Sequence, residues 1–223
     1  MSGPFAALHL ERTSTVDRVA AELRRALFDG ELEAGTALRE VPLAESLGVS
    51  RSTLREALGV LVGEGLAQRQ PHRGVSIPSP EAASVRDVCR ARWVLEGAGV
   101  RRWREAGEPA RDHVRTSLRA YTDAVEAEGG YQELNALHLD FHVSLVGLTG
   151  SPRLVAMAGQ LVTELRLALA QVERLRHNAH DEAGTHAALV ALLDADEVDA
   201  AHEFLREHLV AAEVEIIEAL GLS

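Results

Sequence analysis

Four of the ten histidines stand at spacings that could bring their imidazole rings together. His138 and His142 are four residues apart, which places both on one face of a helix. His186 and His208 fall in the apolar rows of two later segments, in the patterns H-x-x-L and L-x-x-H. Imidazole nitrogen suits zinc, nickel, copper and iron, and a closed shell of four suits zinc. The spacing alone leaves two interpretations open, a divalent-metal site or histidines satisfied within a core.

The same pattern argues against a catalytic metal. The segment from His138 to His142, HLDFH, lacks the glutamate of the H-E-x-x-H motif. Four imidazoles would also fill a tetrahedral shell and leave no open position for a substrate. We therefore expect no enzymatic activity.

A second group of candidate residues opens a predicted helix over 51–64. Its first residues are polar except for Leu54, and they include Arg51, Ser52, Thr53 and Arg55. The two arginines are one turn apart and share a face. Arginine can pair with guanine through two hydrogen bonds, and a helix N-terminus attracts phosphate. An ordinary helical hairpin with surface arginines would show the same pattern.

The elements that position these arginines precede a proline-rich break at 71–80. Apolar periodicity predicts a helix from Ser14 or Thr15 to Phe28 and a short helix over 42–47. A tight Gly-containing turn joins the short helix to the helix over 51–64, as in a helix-turn-helix.

The stretch LAQRQPHRGVSI predicts a β-hairpin with a basic turn, because strand-like ends flank Pro-His-Arg-Gly. Arg73 and Gly74 lie at its tip, where a basic turn without bulky side chains could enter a minor groove. We therefore assign residues 1–78 to a winged helix-turn-helix that binds DNA.

Residues 79–223 predict an all-α antiparallel bundle, so the expected fold class is mainly α. Hydrophobic residues make up 46% of the chain but aromatic residues only 4%, a composition that favours helices. The predicted helices cover 81–106, 109–127, 130–148, 152–177, 181–194 and 197–219.

The acidic charge is concentrated in this second part. The net charge is −11, yet residues 1–78 contain 9 arginines and 10 acidic residues, a balance of −1. The remainder contains 14 arginines and 24 acidic residues, a balance of −10. A single cysteine, Cys89, excludes a disulfide framework within one chain, and we see neither a signal peptide nor an apolar run that could span a membrane. We expect a cytoplasmic protein.

The segment LAESLGVSRSTLREALGVLVGEGL, residues 43–66, resembles the winged helix of the GntR family of bacterial transcription regulators. The resemblance implies that Arg51 and Arg55 read an operator and that Arg73-Gly74 forms the wing tip. This chain departs from the family at Val41, where many members carry a further DNA-contacting arginine. Arg39 is a candidate for a phosphate contact nearby.

The second part is similar to the FCD ligand-binding domain of FadR-like members, a bundle of six or seven helices. The resemblance rests on RWVLE from Arg92, on HLDFH, on the turn SPRL, and on His186 and REHL. It implies a divalent metal, zinc or alternatively nickel, held by an aspartate, a histidine one turn later and two further histidines.

His138 stands where the family usually has that aspartate. Asp140 cannot replace it easily, because two residues along a helix correspond to a rotation of about 200°. Four neutral imidazoles would leave the metal charge uncompensated, which would favour an anionic ligand such as a carboxylate. Alternatively, the metal has been lost and the histidines line an effector pocket.

Arg92 has two interpretations, a surface ion pair with Glu96 or, by the resemblance, a clamp for an effector carboxylate. We expect residues 79–223 to bind the effector, a small organic or sugar acid, and to dimerise. The expected protein is a homodimeric repressor on a pseudo-palindromic double-stranded operator, without a membrane partner. The alternative is a metal-responsive regulator in which the four histidines are the sensor.

Overall fold

The computed structural model describes residues 14–71, 74–169 and 175–222. Within these ranges the chain is mainly α-helical, with one two-stranded antiparallel sheet. The elements in chain order are α1 (Thr15–Phe28), α2 (Glu40–Leu47), α3 (Arg51–Gly63), β1 (Gln68–Gln70), β2 (Gly74–Ser76), α4 (Ala82–Arg101), α5 (Glu108–Glu126), α6 (Tyr131–Gly147), α7 (Pro152–Leu169), α8 (Leu175–Asp194) and α9 (Val198–Ala219).

Helices α1 and α3 begin at the serine caps that the sequence suggests. The Ser14 hydroxyl accepts a hydrogen bond from the Asp17 backbone N–H at 3.1 Å, and the Asp17 carboxylate accepts one from the Ser14 N–H at 3.0 Å. This reciprocal capping box satisfies two N–H groups that a helix start leaves free. The Ser50 hydroxyl likewise accepts from the Thr53 N–H at 3.1 Å and caps α3.

Helix α2 begins earlier than predicted, at Glu40 rather than Pro42. Pro42 is tolerated as its third residue, because the first turn of a helix has no acceptor for its N–H groups. Gly48 ends the helix with a positive φ of 64°, a conformation that glycine adopts without steric cost. The two-residue extension matters because it adds Glu40 to the helix that precedes α3.

The predicted hairpin is confirmed. Strands β1 and β2 pair antiparallel, with Gln68 opposite Ser76 and Gln70 opposite Gly74. Arg73, expected at the tip, lies outside the described residues. The hairpin packs on the first unit through Val75 and Ile77, which join a core that includes Leu54 and Leu58 of α3.

The second part is an all-α bundle of α4 to α9, as predicted, although two helix boundaries were wrong. Helix α4 ends at Arg101 rather than near 106, and the chain then turns so that Trp103 is buried. Helix α8 begins at Leu175 and continues without interruption to Asp194, so the predicted break between 177 and 181 is wrong; α7 is described as far as Leu169. Residues 178–180 contain neither glycine nor proline, so nothing in the sequence forces a helix to end there.

Helix α7 connects the two units. Its Leu167 belongs to the hydrophobic core of the first unit, and the Arg166 guanidinium lies 4.0 Å from the centre of the Phe28 ring on α1. Such a cation–π contact adds to the apolar burial. Helix α7 also packs against α6, which carries two of the four histidines.

Across the described ranges, no helix combines the length and the apolar character that crossing a membrane requires.

Candidate DNA-binding surface and four-histidine centre

The N-terminal part of α3 presents two arginines to solvent. The side chains of Arg51 and Arg55 are 60% and 57% exposed, whereas Leu54 and Leu58 on the opposite side are buried. The buried leucines fix the helix against its own unit and leave the arginine face free. This arrangement is suited to insertion into a major groove.

The Glu40 carboxylate on α2 forms ion pairs with both arginines. The Arg55 Nε donates a hydrogen bond to Glu40 Oε2 at 2.7 Å, and the Arg51 Nη2 lies 3.7 Å from the same oxygen. The hydrogen bond from Arg55 lowers the pKa of Glu40, so the carboxylate is ionised at neutral pH. Sequence reasoning missed Glu40 because it lies 15 residues before Arg55 and outside the predicted helix. Glutamate can itself accept from cytosine, so this carboxylate belongs to the same candidate surface.

Ser52 and Thr53 surround the cap of α3. The hydroxyls of both residues lie 2.8 Å from Ser50 Oγ, so the three form a small polar cluster at the helix N-terminus. Gly74 opens β2 with a φ of 86°, a conformation that side chains disfavour. The positive φ at this position therefore accounts for the glycine in the wing.

Helices α6, α8 and α9 bring the four histidines together. His138 Nε2 and His142 Nε2 are 3.2 Å apart, and His186 Nε2 and His208 Nε2 are also 3.2 Å apart. One nitrogen from each ring lies within 4.8 Å of the others. Two nitrogens on one zinc, each about 2.0–2.1 Å from it, are separated by roughly 3.3 Å in a tetrahedral site. The observed pair distances therefore fit a shared metal ion.

Burial keeps these histidines neutral. It lowers the pKa of His138 to about 3 and that of His208 to about 4, and the positive charge of Arg92 acts in the same direction. Burial likewise lowers the pKa values of His142 and His186 well below the usual value of an imidazole. Metal ligation requires the neutral imidazole, which is the form that these surroundings favour.

Glu96 and Arg92 form a buried pair behind His142. The Arg92 Nε donates to Glu96 Oε1 at 2.7 Å, and the other carboxylate oxygen lies 2.8 Å from His142 Nδ1. Both side chains of the pair are at most 4% exposed, so the expected surface ion pair exists but was wrongly placed at the surface. When Nδ1 donates to Glu96, the Nε2 lone pair of His142 points to the other histidines, as in carboxylate–histidine–metal arrangements.

Several polar atoms of this region lack a hydrogen-bond partner among the described residues. Buried donors or acceptors of this kind are costly, and a missing ligand is a common explanation. They are Arg92 Nη2, His138 Nδ1, His186 Nδ1, Glu182 Oε2 and both amide atoms of Asn135. Arg92 therefore uses Nε for Glu96 and retains a free nitrogen, so its two interpretations are compatible.

Glu182 was not among the residues chosen from the sequence. Its Oε2 lies 3.9 Å from His186 Nε2 and 3.9 Å from His208 Nδ1. Burial raises the pKa of this carboxyl to about 7, and Glu215 and Asp181 raise it further. The available signal was its position four residues before His186, on the same helix face.

Comparison with known proteins gives a family match for each of the two units. Residues 15–77 match the model of bacterial regulatory proteins of the gntR family, and residues 87–211 match the FCD domain. The chain is 28% identical to an uncharacterized HTH-type transcriptional regulator of Paraburkholderia xenovorans, over 94% of this chain and 87% of that protein. It is 26% identical to a probable D-xylose utilization operon transcriptional repressor of Paenarthrobacter nicotinovorans, over 91% of this chain and 88% of that protein.

A crystal structure of a GntR regulator from Rhodococcus sp. RHA1, described as a putative one, is also similar. Its TM-score is 0.78 at 27% identity, covering 92% of this chain and 98% of that chain. The FCD match alone covers more than half of the 223 residues, and the arginine-bearing α3 lies inside the gntR match. The chain therefore belongs to the GntR family of transcriptional regulators and combines its helix-turn-helix with an FCD domain.

Proposed function

We propose that the chain is a homodimeric repressor that binds a pseudo-palindromic DNA operator and is controlled by a small carboxylate effector. Residues 1–78 would bind DNA, and residues 79–223 would bind the effector and dimerise. A two-fold protein reads a two-fold site, with one recognition helix in each half-site. Its place of action is the cytoplasm, where the chromosome is accessible.

The exposed arginine face of α3 carries the DNA-binding proposal. Arg51 and Arg55 are aligned on it, and Ser52 and Thr53 stand at the helix N-terminus, where hydroxyl and N–H groups contact phosphate. Because the charge of residues 1–78 is close to neutral, affinity depends on these placed groups rather than on bulk charge. The wing residues Arg73 and Gly74 would contact the adjacent groove. The relative from Paenarthrobacter nicotinovorans is named a repressor, which supports the same direction of control here.

The buried centre of the FCD domain carries the effector proposal. Arg92 has a buried Nη2 without a partner among the described residues, and its charge affects all four histidines. A guanidinium nitrogen of this kind can bind a carboxylate oxygen strongly, because the site excludes water. We infer an organic or sugar acid as the effector class.

The four histidines would hold a divalent metal, zinc by their number and chemistry or alternatively nickel. A bound metal supplies positive charge that anchors an anionic effector. Glu96 would orient His142 toward it, and Arg92 would bind the outer part of the effector. This assignment rests on the 3.2 Å nitrogen pairs and on the unpartnered atoms around them.

Helix α7 offers a physical route from this centre to the DNA-binding unit. It packs against α6, which carries His138 and His142, and it contacts α1 through Arg166 and Leu167. An effector can change operator affinity only if it binds two arrangements of the units with different affinity. A shift of α6 and α7 would provide such arrangements.

A thermal-shift screen of small mono- and dicarboxylates tests the effector proposal. We expect at least one acid to raise the melting temperature of the metal-bound wild type and to change its operator affinity. The variant Arg92→Lys retains the charge beside Glu96 but cannot form the same forked contact, so it should lose most of the response. A full response in Arg92→Lys would contradict the proposed role of Arg92.

A second function follows from the same four histidines, namely regulation by the metal itself. Operator affinity measured with metal or with a chelator, in the absence of any organic acid, separates the two. An affinity that changes with metal alone favours the metal-responsive regulator. An affinity that changes only when a carboxylate is added favours the effector proposal.

A further inference from the structure

The four-histidine centre has a charge problem when it binds a divalent ion. All four imidazoles are neutral ligands, and the Arg92 guanidinium adds a further positive charge nearby. Glu96 is the buried anion beside His142, and its charge is already shared with Arg92. Buried charges are strongly unfavourable unless they are paired. A second carboxylate close to the nitrogen cluster would therefore stabilise the bound ion.

Glu182 is that carboxylate by position. It lies on α8 one turn before His186, and its Oε2 is buried without a hydrogen-bond partner in the part of the chain described. The oxygen is 3.9 Å both from His186 Nε2 and from His208 Nδ1. A carboxylate oxygen buried without a donor is unfavourable in the metal-free protein. Its position becomes favourable when a cation occupies the space between the histidines.

Glu182 Oε2 lies beside the nitrogen cluster rather than within it, since the group of ligand atoms within 4.8 Å of one another consists of the four histidines and the 3.9 Å distance to His208 is measured to Nδ1. Ligand atoms about 2.0–2.2 Å from one zinc ion are roughly 3 Å apart, depending on coordination number. The Nε2 atoms of His186 and His208 are 3.2 Å apart, and Glu182 Oε2 is 0.7 Å farther than that from His186 Nε2. Ligation therefore requires Glu182 to turn about its side-chain bonds toward the Nε2 atoms when the ion binds. Asp140, on the turn between His138 and His142, points elsewhere on α6 and cannot serve.

We propose that Glu182 on α8 is the oxygen ligand of this metal centre. The inference rests on the metal site proposed above. Helix α8 would then provide both a histidine and the anion. The centre would then have five protein ligands, four nitrogens and one oxygen.

Cobalt(II) alone, added to metal-free protein, tests the inference through coordination number. Four-coordinate cobalt(II) absorbs visible light strongly, whereas five- and six-coordinate cobalt(II) absorb weakly. We expect weak bands for the wild type and intense bands for Glu182→Gln, with an affinity for cobalt(II) lower by at least about tenfold. The matched control is Glu213→Gln on α9, which removes one partly buried carboxylate that pairs with Arg86 at 3.9 Å. It should behave as the wild type does.

The metal-free proteins give a second readout. Because Glu182 Oε2 has no partner among the described residues, metal-free Glu182→Gln should melt at or above the wild-type temperature, yet gain less when cobalt(II) is added. If the amide variant does not fold, Glu182→Asp carries the test, since its carboxylate is one methylene shorter and should also give the intense bands.

Three outcomes overturn the inference, and they are distinguishable. An unchanged spectrum and affinity in Glu182→Gln would mean that Glu182 does not interact with the ion. An unchanged spectrum with lower affinity would make Glu182 an acceptor for His208 Nδ1 and not a ligand. No cobalt(II) uptake by the wild type would refute the metal site itself, and with it the metal part of the proposed function.

Discussion

We expect Glu96→Ala to destabilise the metal-free protein far more than the loss of any surface carboxylate. Glu96 is at most 3% exposed and accepts from Arg92 at 2.7 Å, with His142 Nδ1 2.8 Å from its other oxygen. Removing it leaves the buried Arg92 guanidinium without the carboxylate that accepts its hydrogen bond. Breaking a buried ion pair from one side costs about 3–5 kcal/mol. Burial raises the pKa of Glu96 to about 7, which shows that the folded pair already carries a desolvation cost. We therefore expect Glu96→Ala to lower the free energy of unfolding by about 3 kcal/mol, the lower end of this range.

Thermal unfolding in the presence of chelator at pH 8, where Glu96 is ionised, measures this effect. In a chain of this size, 1 kcal/mol corresponds to about 2–4 °C, so the melting temperature should fall by about 6–12 °C. The double variant Arg92→Leu/Glu96→Leu should recover most of the loss, because it removes both charges together. Glu203→Ala, which breaks an exposed pair with Arg206, should leave the melting temperature unchanged. If the melting temperature of Glu96→Ala fell by less than about 2 °C, the claim that buried Arg92 depends on Glu96 as its counter-ion would be wrong.

Three further predictions concern DNA, metal and packing. Arg55→Ala should weaken specific operator binding in a gel shift by about 1–3 kcal/mol without lowering thermal stability, whereas Arg90→Ala on α4 should bind normally; equal affinity of both variants would refute the recognition surface. Purified protein should contain about one divalent metal ion per chain by elemental analysis, and His142→Ala should contain almost none; metal-free wild type would contradict the site. Gly99→Ala should fail to fold or melt much earlier, because its methyl group would overlap the Leu145 carbonyl oxygen on α6; normal melting in a calorimeter would contradict this close approach.

The sequence predicted those parts of the fold that depend on local signals. Ser14 and Ser50 cap α1 and α3 as expected, since a serine before an apolar periodic run has few other roles. The start of α8 at Leu175 was not predicted, because the helix continues through residues 178–180, where polar side chains interrupt the apolar pattern. Local periodicity reports which face is apolar, but not where a helix ends against its neighbours.

The residues of the candidate sites were likewise predicted only where the sequence carries a local signal. The histidine spacing indicated the four-histidine centre, and the structure brings all four side chains together from three helices. Glu40 and Glu182 were missed because their importance depends on tertiary contacts, with Arg55 in one case and with His208 in the other. Glu96 was expected as the partner of Arg92, but only packing shows that the pair is buried and that it reaches His142.

The central claim is that α3 reads a specific two-fold operator, and selection of binding sites from a random duplex pool tests it most directly. The account predicts enrichment of one pseudo-palindrome whose two half-sites are centred about one helical turn apart. Each half-site should contain guanine at fixed positions. The enrichment should disappear when the selection is repeated with the Arg51→Ala/Arg55→Ala variant. A pool that remains random with the wild type, or the same motif selected by the double variant, would contradict the account.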